Sequence, residues 1–192
     1  MTKILVSLLV VGVVTASALV GAIALFTDSA TNPTNIFSTG TLDLTINPAT
    51  AMFTVGGMAP GDVSYSGIQV TNSGSLALRY AMTTTADGSS ILDEQLDLTI
   101  DVVTGAGVDT LWYTADDVVG TANIYGPDGV LSAAAIGDST QGAQAGDRTL
   151  AASGNERLRF TVTLPLSTSN SYQGTSCTVA FVFDAEQTAN NP

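Results

Sequence analysis

The chain has 192 residues, a net charge of −12 from 5 basic and 17 acidic side chains, one cysteine and no histidine. Such a charge repels nucleic acid and anionic lipid, and a single cysteine excludes an internal disulfide. Without histidine, an H-E-x-x-H zinc motif, a Ser-His-Asp triad and a Cys-His pair cannot be built.

The N-terminus reads as an export segment. Lys3 is the only charge before Asp28, the run from Ile4 to Phe26 is apolar or small, and Ala22-Ile23-Ala24 is the small-x-small pattern that a signal peptidase reads. Residues 1–24 are therefore expected to be a signal peptide cleaved after Ala24. The uncharged run is also long enough to span a bilayer, so retention as an anchor or a packed helix is the other reading. Residues 25–40 follow as an N-terminal arm.

From residue 41 the pattern is that of a β protein. Thr41–Ile46 alternates Leu42, Leu44 and Ile46 with polar residues, which predicts a half-buried strand. A short strand is expected over Met52–Val55, then a turn at Ala59-Pro60-Gly61-Asp62, where Pro presets φ and Gly accepts a positive one. Val63–Thr71 and Leu76–Thr85 read as strands joined at Asn72-Ser73-Gly74-Ser75. Leu96–Val103 has the strongest period of two, with Leu96, Leu98, Ile100 and Val102 on one face. Residues 104–154 are rich in Gly, Ala, Asp and Ser and read as a loop-rich insertion of short hairpins, with a helical turn near Leu131–Ile136. Arg157–Leu166 and Ser176–Ala185 close the domain. The second of these is apolar enough to suggest a central strand. Residues 188–192 read as a flexible tail.

These elements predict an all-β fold: an antiparallel two-sheet β-sandwich, jelly-roll-like, over residues 41–187. The expected inward set is Leu42, Leu44, Ile68, Val70, Leu76, Leu78, Leu98, Ile100, Phe160, Val162, Val179, Phe181 and Phe183. Cys177 lies in a strand pattern and reads as a small buried hydrophobe, with an intermolecular disulfide as the alternative.

Carboxylates are the remaining chemistry. Asp109, Asp116 and Asp117 sit in one acidic loop, and calcium takes oxygen ligands from such loops, although the spacing is not that of an EF-hand. A solvated loop without any cofactor is the competing reading. Asp93, Glu94 and Asp97 read as plain surface.

At Ala24-Leu25-Phe26-Thr27-Asp28 and Phe37-Ser38-Thr39-Gly40-Thr41-Leu42-Asp43-Leu44 the chain resembles the TasA/camelysin family of exported proteins. Met58-Ala59-Pro60-Gly61-Asp62 is similar to the family's L-x-P-G-D turn, and Val70-Thr71-Asn72-Ser73-Gly74-Ser75-Leu76 to its N-x-G-S-L hairpin. Ser171-Tyr172-Gln173-Gly174 matches its Y-Q-G before the last strand. The resemblance runs from residue 24 to about 187 and skips 104–154. It implies a jelly roll that assembles into extracellular biofilm fibres, and a dedicated signal peptidase of the SipW type. Camelysin members are described as surface metalloproteases; the lack of histidine stands against that activity here.

The expected function is therefore structural and not enzymatic: a secreted protein whose chief partner is itself, with other matrix or cell-surface components as further partners. The arm offers a mechanism. Leu25, Phe26, Ile36 and Phe37 are apolar anchors on a segment whose polar middle and Pro33 suit it poorly to a central strand. Such a segment can add to a neighbour's sheet edge; pairing within its own domain is the alternative. A monomeric calcium-dependent adhesin is a third reading.

Overall fold

The computed structural model describes residues 3–9, 36, 38–88 and 91–191. It divides into two units, Met1–Ser38 and Thr39–Pro192. In the first, residues 3–9 are helical and expose Ile4, Leu5, Val6, Leu8 and Leu9.

The second unit is built from two antiparallel sheets. The larger is ordered β1 (Leu44–Asn47), β2 (Val63–Asn72), β8 (Asn155–Thr163), β4 (Asp97–Gly105), β5 (Val118–Val130). The smaller is centred on β3 (Leu78–Ala86). Strand β9 (Val179–Gln187) pairs with β3 along its whole length, from Leu78↔Gln187 to Ala86↔Val179. The other edge of β3 is shared by β6 (Ala135–Ile136) and β7 (Arg148–Leu150).

The core lies between the sheets because the alternation of each strand puts its apolar residues on one face. Ile68 and Val70 of β2, Leu98 and Ile100 of β4, and Leu158, Phe160 and Val162 of β8 meet Leu78, Tyr80 and Met82 of β3. All are buried. Fully burying side chains of this size contributes about 1.5–3 kcal/mol each, so this layer holds the sandwich together.

Several expectations are corrected. The first strand begins at Leu44, not Thr41. Thr41 instead closes the Asn72–Ser75 turn, accepting from the Ser75 and Leu76 amides at 3.0 and 3.2 Å. Leu42 is consequently 43% exposed and not inward. Met52–Val55 forms no strand; Ser66 Oγ of β2 donates to the Met52 carbonyl at 2.7 Å, and Met52 and Phe53 pack against the core. The segment 104–154 holds more regular structure than expected: the 13-residue β5, then a 3-10 turn at Leu131–Ala133, β6 and β7. The last strand is not central. Among the described residues β9 pairs only with β3, and its burial alternates, so Val179, Phe181 and Phe183 are half-buried. Leu76 is likewise half-buried, in the turn before β3. Asp93, read as surface, is buried.

Candidate assembly edge and acidic loop

Val179, Phe181, Phe183 and Ala185 of β9 face the core yet stay half-open. Phe181 meets Phe160 edge-to-face with centroids 4.9 Å apart, and Phe183 lies 6.0 Å from Tyr80. Each ring has a partner on one side. Across the pairing with β3, Phe183 lies opposite Met82, which is fully buried, and Phe181 opposite Thr84, which is half-buried. Strand β3 has strands on both edges, whereas among the described residues β9 has one on a single edge. A strand edge without a partner leaves a row of amides and carbonyls open to pairing.

The other long edge strand is protected. Strand β5 makes an irregular ladder with β4, with register shifts at Leu98/Ile100, Ile100/Val102, Val102/Val103 and Val103/Gly105. Asp101 Oδ1 accepts the Asn123 amide at 2.8 Å within it. Bulges of this kind twist an edge away from further pairing.

Of the four expected anchors of the arm, Ile36 is described and is 82% exposed. Leu25, Phe26 and Phe37 lie outside the described residues, as does the cleavage point after Ala24.

The acidic loop between β4 and β5 lies over the outer face of the larger sheet. Gly67 of β2 makes room for it; a Cβ there would collide with the Tyr113 ring and the Leu158 carbonyl. Arg159 of β8 holds it from below. Its guanidinium pairs with Asp101 at 2.8 Å and donates to the Thr114 carbonyl, also at 2.8 Å. Arg157 sits 4.2 Å from the Trp112 ring centre, a cation–π contact.

Asp109, Asp116 and Asp117 are brought together in this loop, but their oxygens serve the loop's own backbone. Asp116 Oδ2 accepts the Val108 and Asp109 amides at 2.7 and 3.1 Å, and its Oδ1 accepts from Thr114 Oγ1 at 2.8 Å. The Thr114 hydroxyl first, then these amides, hold the Asp116 carboxyl below the usual carboxylate range. Asp117 Oδ2 accepts the Tyr113 and Thr114 amides, and Asp109 Oδ1 the Leu111 amide. Asp117 Oδ1 and Arg159 Nε are buried without a hydrogen-bond partner. No grouping of three or more His, Cys, Asp or Glu placed to hold a metal ion occurs among the described residues.

A second latch lies on the smaller sheet. Arg79 of β3 pairs with Glu186 of β9 and donates to the Asn191 carbonyl, while Glu186 also accepts the Gly142 amide. Sequence reasoning missed both arginine latches, because each joins residues far apart in the chain.

An all-β sandwich whose described strands leave one edge of β9 unpaired is the class that fold and geometry define. The chain belongs to the camelysin metallo-endopeptidase family, whose family model matches residues 2–191. Membership supports an extracellular protein. A search of curated proteins finds no match. The family's description implies a metal, and the described residues do not fit one: the sequence has no histidine, its one thiol is half-buried, and the acidic loop's carboxylates are engaged by amides. No helix among the described residues is long and apolar enough to cross a membrane.

Proposed function

We propose that this chain is a structural subunit that polymerises into fibres of a biofilm matrix or cell surface, each copy donating its N-terminal arm to the next. The observation that carries this reading is the edge of β9 that no other described strand pairs with, along which Phe181 and Phe183 are half-buried. A further strand there would satisfy the backbone groups of the edge and cover both rings. The arm has matching chemistry: apolar Leu25, Phe26, Ile36 and Phe37 at its ends and a polar middle between them. Docking two Phe side chains contributes roughly 3–6 kcal/mol before ordering, and ordering a free arm offsets much of that. Repetition along a fibre makes the assembly durable.

Secretion fits this role, since cleavage after Ala24 would free the arm only outside the cell. Other matrix or surface components are further partners, and a signal peptidase acts during export. A peptidase role is disfavoured by the absence of histidine. A monomeric calcium-dependent adhesin is separated by light scattering with and without calcium.

Deleting residues 25–38 is the direct test. The expected product is a folded monomer that forms no filaments by negative-stain microscopy. Filaments with an unchanged repeat would place the contacts on the sandwich faces instead.

A further inference from the structure

The backbone of Gly74 does not itself call for glycine. Its φ lies outside the left-handed region, so the turn between β2 and β3 accepts other residues there. The demand comes from a neighbour. A Cβ on Gly74 would stand 2.4 Å from the Thr41 carbonyl oxygen and 2.8 Å from the Asp43 amide nitrogen. The chain just ahead of β1 therefore passes the turn at a distance that a side chain would not allow.

Hydrogen bonds hold this crossing on both sides of Gly74. The Thr41 amide donates to Ser75 Oγ at 2.9 Å, and the Ser75 amide reaches Thr41 Oγ1 at 3.2 Å as well as the Thr41 carbonyl. The Ser73 amide donates to the Asp43 carbonyl at 2.8 Å. Behind the turn stands Asn72, which is fully buried. Its Oδ1 accepts the Gly74 amide at 3.0 Å, and its Nδ2 donates to the Leu76 and Ala151 carbonyls at 2.8 and 3.0 Å. Its backbone amide donates to the Gly154 carbonyl at 2.8 Å. The turn that grips residues 41–43 is thus itself tied to the connection between β7 and β8.

Strand β1 is a weak fixture without this grip. It has four residues, none of them buried, and each backbone hydrogen bond adds only about 1 kcal/mol net. A pull from its N-terminal side would peel it from β2. Residues 41–43 are the first that such a pull meets, and the bonds to the turn are concentrated there. The arm of residues 25–40 runs directly into Thr41, so a neighbour that holds the arm pulls at this point.

We propose that the Asn72–Ser75 turn is the anchor of the donated arm. It locks residues 41–43 to the sandwich, so that load arriving through the arm passes into β2 and the β7–β8 connection instead of stripping β1. Asn72, Gly74 and Ser75 are then positioning residues for assembly. The inference rests on the strand-donation reading and adds to it the residues that hold the donor's side of the joint.

The test compares filaments of the exported chain with those of Gly74→Ala, which drives a Cβ between the turn and residues 41–43. The Ser73 and Ser75 amides should exchange about tenfold faster. Filaments of unchanged repeat should break about tenfold more often under sonication. Ser75→Ala removes the side-chain bonds alone and should raise breakage about fivefold, which keeps the test open if Gly74→Ala folds poorly. Val162→Ala, a core truncation in β8, lowers the melting temperature without touching the turn and should leave breakage unchanged. A peptide of residues 25–38 should bind Gly74→Ala as tightly as the parent chain, because the turn serves the donor. Breakage equal to that of the parent overturns the anchor and leaves strand donation standing. Equal fragility of Gly74→Ala and Val162→Ala also overturns it, since global stability would then set the breakage. Weakened peptide binding would place the turn in the receiving site and overturn the assignment. Filaments formed without residues 25–38 overturn both readings.

Discussion

Arg159 and Asp101 face each other across β8 and β4 as a 2.8 Å ion pair, with side chains only 9% and 8% exposed. The pair is roofed by the acidic loop, whose Thr114 carbonyl takes another bond from the same guanidinium. Removing one partner of a buried pair leaves the other charge uncompensated. Arg159→Met is therefore expected to cost about 3 kcal/mol in denaturant unfolding. It should also release Trp112, the sole tryptophan, giving a red-shifted emission. Adding Asp101→Leu should recover part of the loss. A change below about 1 kcal/mol with unaltered emission would mean that the loop holds itself in place.

Acid should loosen the same loop. The Asp116 carboxyl is held below its ordinary value by Thr114 and the Asp109 and Val108 amides. The amides of Gln144 and Asp138 do the same for Asp147. A folded-state pKa lowered in this way adds stability above the unfolded value, and that stability is lost as pH falls through the folded one. Stability is thus expected to drop below about pH 4. Asp116→Asn should make that acid limb shallower; an identical limb in the variant would remove Asp116 from the account.

Asp97 acts in the opposite direction. Burial first, and then the nearby Asp128, push its carboxyl up. The folded chain then binds that proton more readily than the unfolded chain, so the site costs stability as pH rises through the folded value. Asp97→Asn should raise the neutral-pH melting temperature by about 1–3 °C and leave the pH 3 value unchanged. An equal rise at both pH values would point to packing instead of charge.

The thiol of Cys177 should be sluggish. Burial, Asp93 and Asp87 all disfavour its thiolate, which is the reactive form. Modification by a disulfide reagent at neutral pH is expected to run about tenfold slower than for a free cysteine, and Cys177→Ala to cost about 1 kcal/mol. Fast labelling, or a dimer on a non-reducing gel, would favour the intermolecular disulfide.

How far the chain could be read follows from where each residue sits. Strand β4 was legible because Leu98 and Ile100 are buried while Asp97 and Thr99 are only half-buried, so its period of two is written in the residue types. Strand β5 was not. It is exposed for most of its length and repeatedly shifted in register, so burial imposes no period on it. The apolar run of β9 suggested a central strand because Ala180 and Val182 are apolar as well; both are exposed, and Val182 remains 40% open. Asp93 carried no sign of its burial, which depends on tertiary placement: Ser132, far along the chain, donates to its carbonyl at 3.3 Å. The Arg159 latch likewise depends on register, which sets Gly67, Arg159 and Asp101 side by side across three strands.

The engaged arginines bear on durability outside the cell. Enzymes that cut after Lys or Arg find no lysine beyond Lys3, and the four arginines lie within β3, β7 and β8. Each of these bonds belongs to a paired strand, and each guanidinium is tied to a carboxylate or a ring. A trypsin-like enzyme must unfold a sheet before it can bind any of them, so proteolytic lifetime is coupled to the global stability of the sandwich.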